Sequence, residues 1–353
     1  MPAEDPGSDH EPAAPRGPDL DEIRRILAAI PGPDLASGTA AAAREPQLLK
    51  PPGALGRLEE IAAWMATWQG RHPALVRRPR VCVFAGNHGV AAQGVSAYPA
   101  SVTAQMVQAT LAGQAAINQL CETIDADLRV FELNLDVPTR DFTAAPAMDA
   151  EECARAVAYG MMAVESGIDL LCVGELGIAN TTTAAALCLA LFGGSAADWV
   201  GPGTGVAGAT LARKAQVAAA GVARHRDAIA AGDAFDALRC VGGLELAAIS
   251  GAVLAARHAR IPVLLDGFVA TAAASVLFKA DKRALDHCRA AHRSAEPGHD
   301  RLLKAIGQAP LFDLGMRLGE ATGAALAVPL VRAACACHAG MGTFAEAQVD
   351  GPG

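Results

Sequence analysis

Read as a pattern of apolar and polar positions, the chain changes period near residue 80. Before it, apolar residues recur at helical spacing. Asp19 and Glu22 make a capping-box-like start for a short helix, DEIRRILAAI, which stops at Pro31-Gly32-Pro33. KPPGALGRLEEIAAWMATWQG places Leu58, Ile61, Ala62 and Trp64/Met65 on one helix face. From residue 80 short continuous apolar runs begin: 81–86, 128–134, 169–174 and 261–267, each closed by a turn. Such runs fit parallel strands buried on both faces. Ala-rich helical patterns separate them at 102–120, 151–166, 181–192, 210–231, 242–258 and 267–279. The alternation predicts an α/β fold: a doubly wound, mostly parallel Rossmann-like sheet. After 300 the pattern is helical again. The predicted organisation is a disordered leader at 1–19, N-terminal helices at 20–78, a large α/β domain at 79–300, and C-terminal helices at 301–353. The two helical segments combine into a smaller domain.

Composition narrows the class. Hydrophobic residues make up 52% and charged residues 19%, which suits a folded chain. Aromatics are only 4%, so the core is built from small aliphatic side chains and helices can pack closely. The formal net charge is −8, with no long basic run, which argues against nucleic acid as a partner. No apolar run approaches the ~18 residues of a membrane span. The nine cysteines are scattered through apolar stretches and read as buried free thiols. A soluble, cytoplasmic protein is expected. Cys335-Ala-Cys337-His338 could be half of a metal site, but no second pair has ligand spacing, so no metal is assigned.

In open parallel sheets, ligands bind beyond the carboxyl ends of the strands. That is where the unusual residues fall. GELGIANTTT follows one strand: Gly174 and Gly177 allow a tight turn, and Asn180 or Thr181 can cap the next helix. The turn is either an anion cradle or an ordinary capped βα connection. Glu175 inside it suits a sugar hydroxyl or a water better than a phosphate. GPGTG (201–205) is a second Gly-rich loop, and Lys214 on the following helix could reach an anion or simply face solvent. GVSAYPASVTAQMV offers Tyr98, Gln105 and Met106 for an apolar slot, or an aromatic packed into the core. His88, in NHG, could be a base or a turn residue. His287, His292, Glu296 and His299 lie close in sequence, but His287 and His292 are five apart rather than at the i, i+4 spacing of one helical face, so no metal is assigned to them.

Near the C-terminus, DLGMRLGEATGAALAV carries Gly315, Gly319 and Gly323 at every fourth position beside a lone acid, Glu320. Read as one helix, the glycines form a shallow groove edged by Met316 and Glu320. An ion pair with Arg317 is the plainer role for Glu320.

Taken in order, KPPGALGRLE, FAGNHGV, GVSAYP, VTAQM, GQAAIN, GELGIANTT, GPGTG, GGLELAAISG, PVLLDGFVATAAA, SAEPGH and LGMRLGEATGAAL resemble the nicotinate-nucleotide–dimethylbenzimidazole phosphoribosyltransferases, over about residues 20–350. The resemblance implies transfer of the 5-phosphoribosyl group of nicotinate mononucleotide to 5,6-dimethylbenzimidazole, with inversion, in cobalamin lower-ligand assembly. It implies no cofactor, a Rossmann-like large domain with a small helical one, and a homodimer. By resemblance Glu320 is the general base and Glu175 the second active-site acid. Gly177, Ile178, Ala179, Asn180, Gly203, Thr204, Gly205 and Lys214 would hold the phosphate and ribose. Tyr98, Gln105, Leu176, Leu318 and Met316 would line the base slot. Departures are Asn87 where many members have Asp, Ala179 where Gly is usual, and Pro202 where Arg is common. A ribazole-binding protein without catalysis and a nicotinate mononucleotide hydrolase are the competing functions.

Overall fold

A computed structural model describes residues 17–351; most of the expected leader lies outside the described residues. Five strands form one sheet: β1 (Pro79–Ala85), β2 (Asp127–Glu132), β3 (Leu170–Leu176), β4 (Val263–Leu265) and β5 (Cys288–Ala290). Their order is β2-β1-β3-β4-β5 and every pairing is parallel. Strands β1 to β4 coincide with the apolar runs. Strand β5 has no counterpart among them. Its Cys-Arg-Ala is too short to show a period, and only pairing with β4, from Cys288 on Val263 to Ala290 on Leu265, makes it a strand.

Alternation along each strand feeds two apolar clusters, one per sheet face. Cys82, Phe84, Leu171, Val173 and Leu265 point into one. Val81, Val83, Leu170, Cys172 and Leu264 point into the other. With both faces covered, a strand has no polar side, which is why the runs are continuous. Helices Ala150–Met161, Asn180–Phe192, Leu244–His258 and Phe268–Ala280 cover the first face. Helices Arg57–Gln69, Ala116–Thr123 and Thr322–Gly340 cover the second, so segments from the two ends of the chain meet there. Helix Leu20–Ala28, capped by Asp19 on the Glu22 amide at 2.7 Å, packs instead on the first face through Ile23 and Leu27. Helix Pro297–Ile306, which straddles the expected boundary at 300, joins it there through Leu302.

Small residues let helices touch backbone to backbone. A Cβ at Gly160 would lie 1.8 Å from the Ala248 carbonyl oxygen, and one at Gly251 1.9 Å from that of Val157. Helix Thr322–Gly340, 19 residues, is long and apolar enough to cross a bilayer by length and composition alone. It does not stand out as a continuous run because Arg332 and His338 interrupt the apolar positions. Half of it is buried against the sheet and its neighbours.

The groove of glycines is not formed. Residues 313–319 have no helical structure; Gly315, Gly319, Glu320 and Ala321 have φ of 67°, 84°, 59° and 61°, and the helix begins only at Thr322. Positive φ cannot continue a right-handed helix. Gly315 and Gly319 supply that backbone. Gly323 instead permits contact, since a Cβ there would lie 2.0 Å from the His292 ring.

Candidate active site

The left-handed turn at Glu320 and Ala321 rests on β3. A Cβ at Gly174 would lie 2.1 Å from the Ala321 amide nitrogen, so only glycine lets the turn sit so low. The Glu320 amide donates to the Glu175 carbonyl at 3.0 Å, and the Thr322 hydroxyl donates to the Gly319 carbonyl at 2.7 Å. This places the Glu320 side chain, 6% exposed, on the wall of a cavity of about 500 Å³ beyond the carboxyl ends of β3, β4 and β5.

Around this cavity the structure brings together Glu175, Leu176, Gly177, Ile178, Ala179 and Asn180 from the β3 turn. Gly203 and Thr204 come from the GPGTG loop, and Tyr98 and Leu318 from two further loops. Four expected residues are not on the wall. Gln105 is exposed on its helix, where Thr103 instead turns inward and accepts the Ile178 amide at 3.1 Å. Met316 is half-buried, its carbonyl engaged by the Ala295 amide. Gly205, at φ 108°, lies just past the lining residues of its loop. Lys214 sits behind that loop, 1% exposed, donating to the Thr181 hydroxyl at 2.7 Å and the Gly201 carbonyl at 2.9 Å. It is not a solvated helix lysine. Burial pulls its ammonium down to about 8, against a smaller opposing pull from Glu296.

Neither Asn180 nor Thr181 caps the helix, contrary to expectation. The cap position is Ala179, at φ 76°, with no side-chain hydrogen bond. Asn180 turns its amide to Glu175. The positive end of helix Asn180–Phe192 therefore faces the cavity without a side-chain cap, with Lys214 one residue behind it at Thr181.

Buried carboxylates cluster around the Glu320 turn. Burial, then the charges of Asp266, Glu245 and Glu320, raise Glu175 well above the usual carboxylate range, against the Asn180 hydrogen bond. Burial, then Asp266, raise Glu320. Burial also raises Asp266, opposed by His292 and by the backbone amides of the turn into helix Thr322–Gly340. Its Oδ1 accepts the Ala324 amide at 2.9 Å and lies 3.6 Å from His292 Nε2.

Sequence reasoning missed three polar contacts here. His88 is 2% exposed; its Nε2 lies 2.7 Å from Glu245 Oε1 and its Nδ1 3.1 Å from the Thr183 hydroxyl. Glu296 accepts the Gly203 amide at 2.8 Å. Arg317 donates to the Gly203 carbonyl at 2.7 Å, and no ion pair joins it to Glu320 among the described residues. A charged residue inside an apolar run, as in LELAAIS, was the available signal for Glu245. Two of the candidate histidines serve the interior: His287 meets the Val253 carbonyl and His299 the Thr271 hydroxyl and Ser294 amide, and burial lowers both to about 3. His338 meets Glu45 and His72 rather than completing a site with Cys335 and Cys337. Among the described residues no cluster of three or more ligands could hold a metal.

A family model described as "Phosphoribosyltransferase" matches residues 30–349. The nicotinate-nucleotide–dimethylbenzimidazole phosphoribosyltransferase of Rhizobium meliloti (strain 1021) is 56% identical over 330 residues, 94% of this chain and 97% of that protein. The protein of the same name from Methylocella silvestris is 56% identical over 332 residues, again 94% and 97%. Among solved structures, the enzyme of that name from Thermus thermophilus superposes with a TM-score of 0.83 at 41% identity, covering 89% of this chain and 98% of that one.

Proposed function

Because the chain belongs to the nicotinate-nucleotide–dimethylbenzimidazole phosphoribosyltransferase family, we propose that it moves the 5-phosphoribosyl group of nicotinate mononucleotide to 5,6-dimethylbenzimidazole. The products are nicotinate and α-ribazole 5′-phosphate, the nucleotide of the cobalamin lower ligand. The observation that carries this reading is a buried carboxylate, Glu320, on one wall of a cavity whose other side is an uncapped helix N-terminus backed by Lys214.

The 5′-phosphate lies against that N-terminus and the GPGTG loop, where backbone N–H groups and the lysine favour an anion. Glu175, held by Asn180, faces the ribose hydroxyls. The flat acceptor lies between Tyr98, Leu176 and Leu318. The leaving nicotinate departs from a cationic pyridinium and needs little acid help. The benzimidazole nitrogen attacks the anomeric carbon from the face opposite the leaving group, so the centre inverts. Attack makes the second ring N–H acidic, and Glu320 accepts that proton. Burial strengthens a carboxylate as a base by bringing its pKa toward the working pH. No covalent intermediate with the protein forms. The enzyme works in the cytoplasm as a homodimer, a reading supported by its nine free cysteines for the compartment and by the family resemblance for the assembly.

Mixing the protein with nicotinate mononucleotide and following nicotinate by chromatography tests the reading. Release that requires dimethylbenzimidazole is expected. Release without any acceptor would make it a hydrolase, and no release in either case would leave a binding protein.

A further inference from the structure

The described contacts of the GPGTG loop run to both sides of the acceptor slot. Gly203 has φ 51°, and a Cβ on it would lie 2.6 Å from the Thr181 hydroxyl and 2.9 Å from Lys214 Nζ. The loop is therefore packed tightly onto the residues that would hold the donor phosphate. Both backbone groups of Gly203 are bonded: its N–H donates to Glu296 at 2.8 Å, and its carbonyl accepts from Arg317 at 2.7 Å. Arg317 lies three residues before Glu320 on the irregular segment whose left-handed turn aims that carboxylate. The next residue, Thr204, accepts the Ala97 amide at 3.0 Å and shares a 3.0 Å hydrogen bond with Ser96, fixing the loop that carries Tyr98. One short loop thus contacts the phosphate side, the Glu320 segment and the Tyr98 segment.

We propose that Arg317 is a positioning residue that couples the two substrate sites: through Gly203, occupation of the phosphate site sets the Glu320–Leu318 wall for the acceptor. This rests on the transfer reaction proposed above. Arg317 is suited to the task because its side chain is exposed at the cavity rim and its guanidinium meets a backbone carbonyl with no carboxylate partner among the described residues. A movement of the Gly203 peptide toward a bound anion is passed directly to the segment 313–320. Coupling then has to be reciprocal, donor-site occupancy tightening acceptor binding by the factor that acceptor tightens the donor side.

The test uses ribose 5-phosphate as an unreactive occupant of the donor site and dimethylbenzimidazole as the titrant, by calorimetry, in the full chain and in Arg317→Met and Arg317→Lys. In the unsubstituted protein, saturating ribose 5-phosphate is expected to tighten dimethylbenzimidazole by about fivefold or more, the low end of ordinary coupling. In Arg317→Met the effect falls below twofold while ribose 5-phosphate itself still binds within about twofold of the unsubstituted protein. Arg317→Lys, which can still donate to the carbonyl, recovers part of it. In turnover, Arg317→Met lowers kcat about tenfold or more with the donor KM little changed. Coupling that persists in Arg317→Met, or that is absent in the unsubstituted protein, overturns the proposal. So does a large loss of ribose 5-phosphate affinity in Arg317→Met, which would make Arg317 a phosphate ligand. If the unsubstituted protein fails to release nicotinate with acceptor present, the transfer reading falls instead, and the binding titrations still decide the coupling.

Discussion

Replacing Gly174 by Ala is the most direct way to disturb the site without touching a functional group. The new Cβ would lie 2.1 Å from the Ala321 nitrogen and 2.5 Å from its Cα, where ordinary contact begins at 3.4 Å. Both obstacles are backbone, so no side chain can swing aside. The turn that carries Glu320 has to rise by about 1 Å, and the Glu320 amide then loses its bond to the Glu175 carbonyl. Overpacking of this kind costs about 1–3 kcal/mol and the hydrogen bond about 1 kcal/mol more. A displacement of about 1 Å at a reacting group lowers turnover roughly a hundredfold. Urea unfolding measures the first effect and acceptor-dependent nicotinate release the second. Gly160→Ala is the control, because its Cβ would lie 1.8 Å from the Ala248 carbonyl and neither residue lines the cavity. It is expected to destabilise while leaving kcat of the folded protein within about threefold. If Gly174→Ala also keeps kcat within threefold, the height of the Glu320 turn does not matter to catalysis and the reasoning is refuted.

Two further outcomes follow from the buried polar groups. Lys214, lowered to about 8 by burial, is partly neutral near that pH in the free protein, and a bound phosphate favours its charged form. Donor binding at pH 8 should therefore take up protons, seen as a calorimetric enthalpy that changes with buffer, and the uptake should fade toward pH 6; identical enthalpies in all buffers at pH 8 would exclude charge coupling between Lys214 and the phosphate. Glu245→Ala leaves a buried His88 ring nitrogen without its 2.7 Å partner and should cost about 1–3 kcal/mol in urea unfolding, whereas no measurable loss would mean water replaces the carboxylate there.

Much of this architecture was readable along the chain. Continuous apolar runs located β1 to β4 because both sheet faces are covered, and residues following β3 and β4 line the cavity. What could not be read depends on contacts between distant residues. His88 and Glu245 meet across 157 positions, and neither signals the other. The glycines at 315 and 319 match a helical stripe as well as they match a left-handed turn; only the close seat on Gly174 decides between them. The family resemblance implies Gln105 in the slot, but helical phase turns Thr103 inward and Gln105 out. Lys214 was legible as a cation near a Gly-rich loop, yet its burial follows from how that loop folds over it.

The central claim is that Glu320 takes the proton from the attacking base. It is tested most directly by the pH dependence of kcat for acceptor-dependent nicotinate release in the unsubstituted protein and in Glu320→Gln. Burial and Asp266 raise the Glu320 carboxyl above its usual 4.5, and a base must be ionised to act. Activity of the unsubstituted protein should therefore fall as pH drops through a limb lying above 4.5. Glu320→Gln should lose about a hundredfold or more in kcat and lose that limb, with nicotinate mononucleotide binding unchanged. Turnover in Glu320→Gln at the unsubstituted rate, with the same acid limb, would contradict the account.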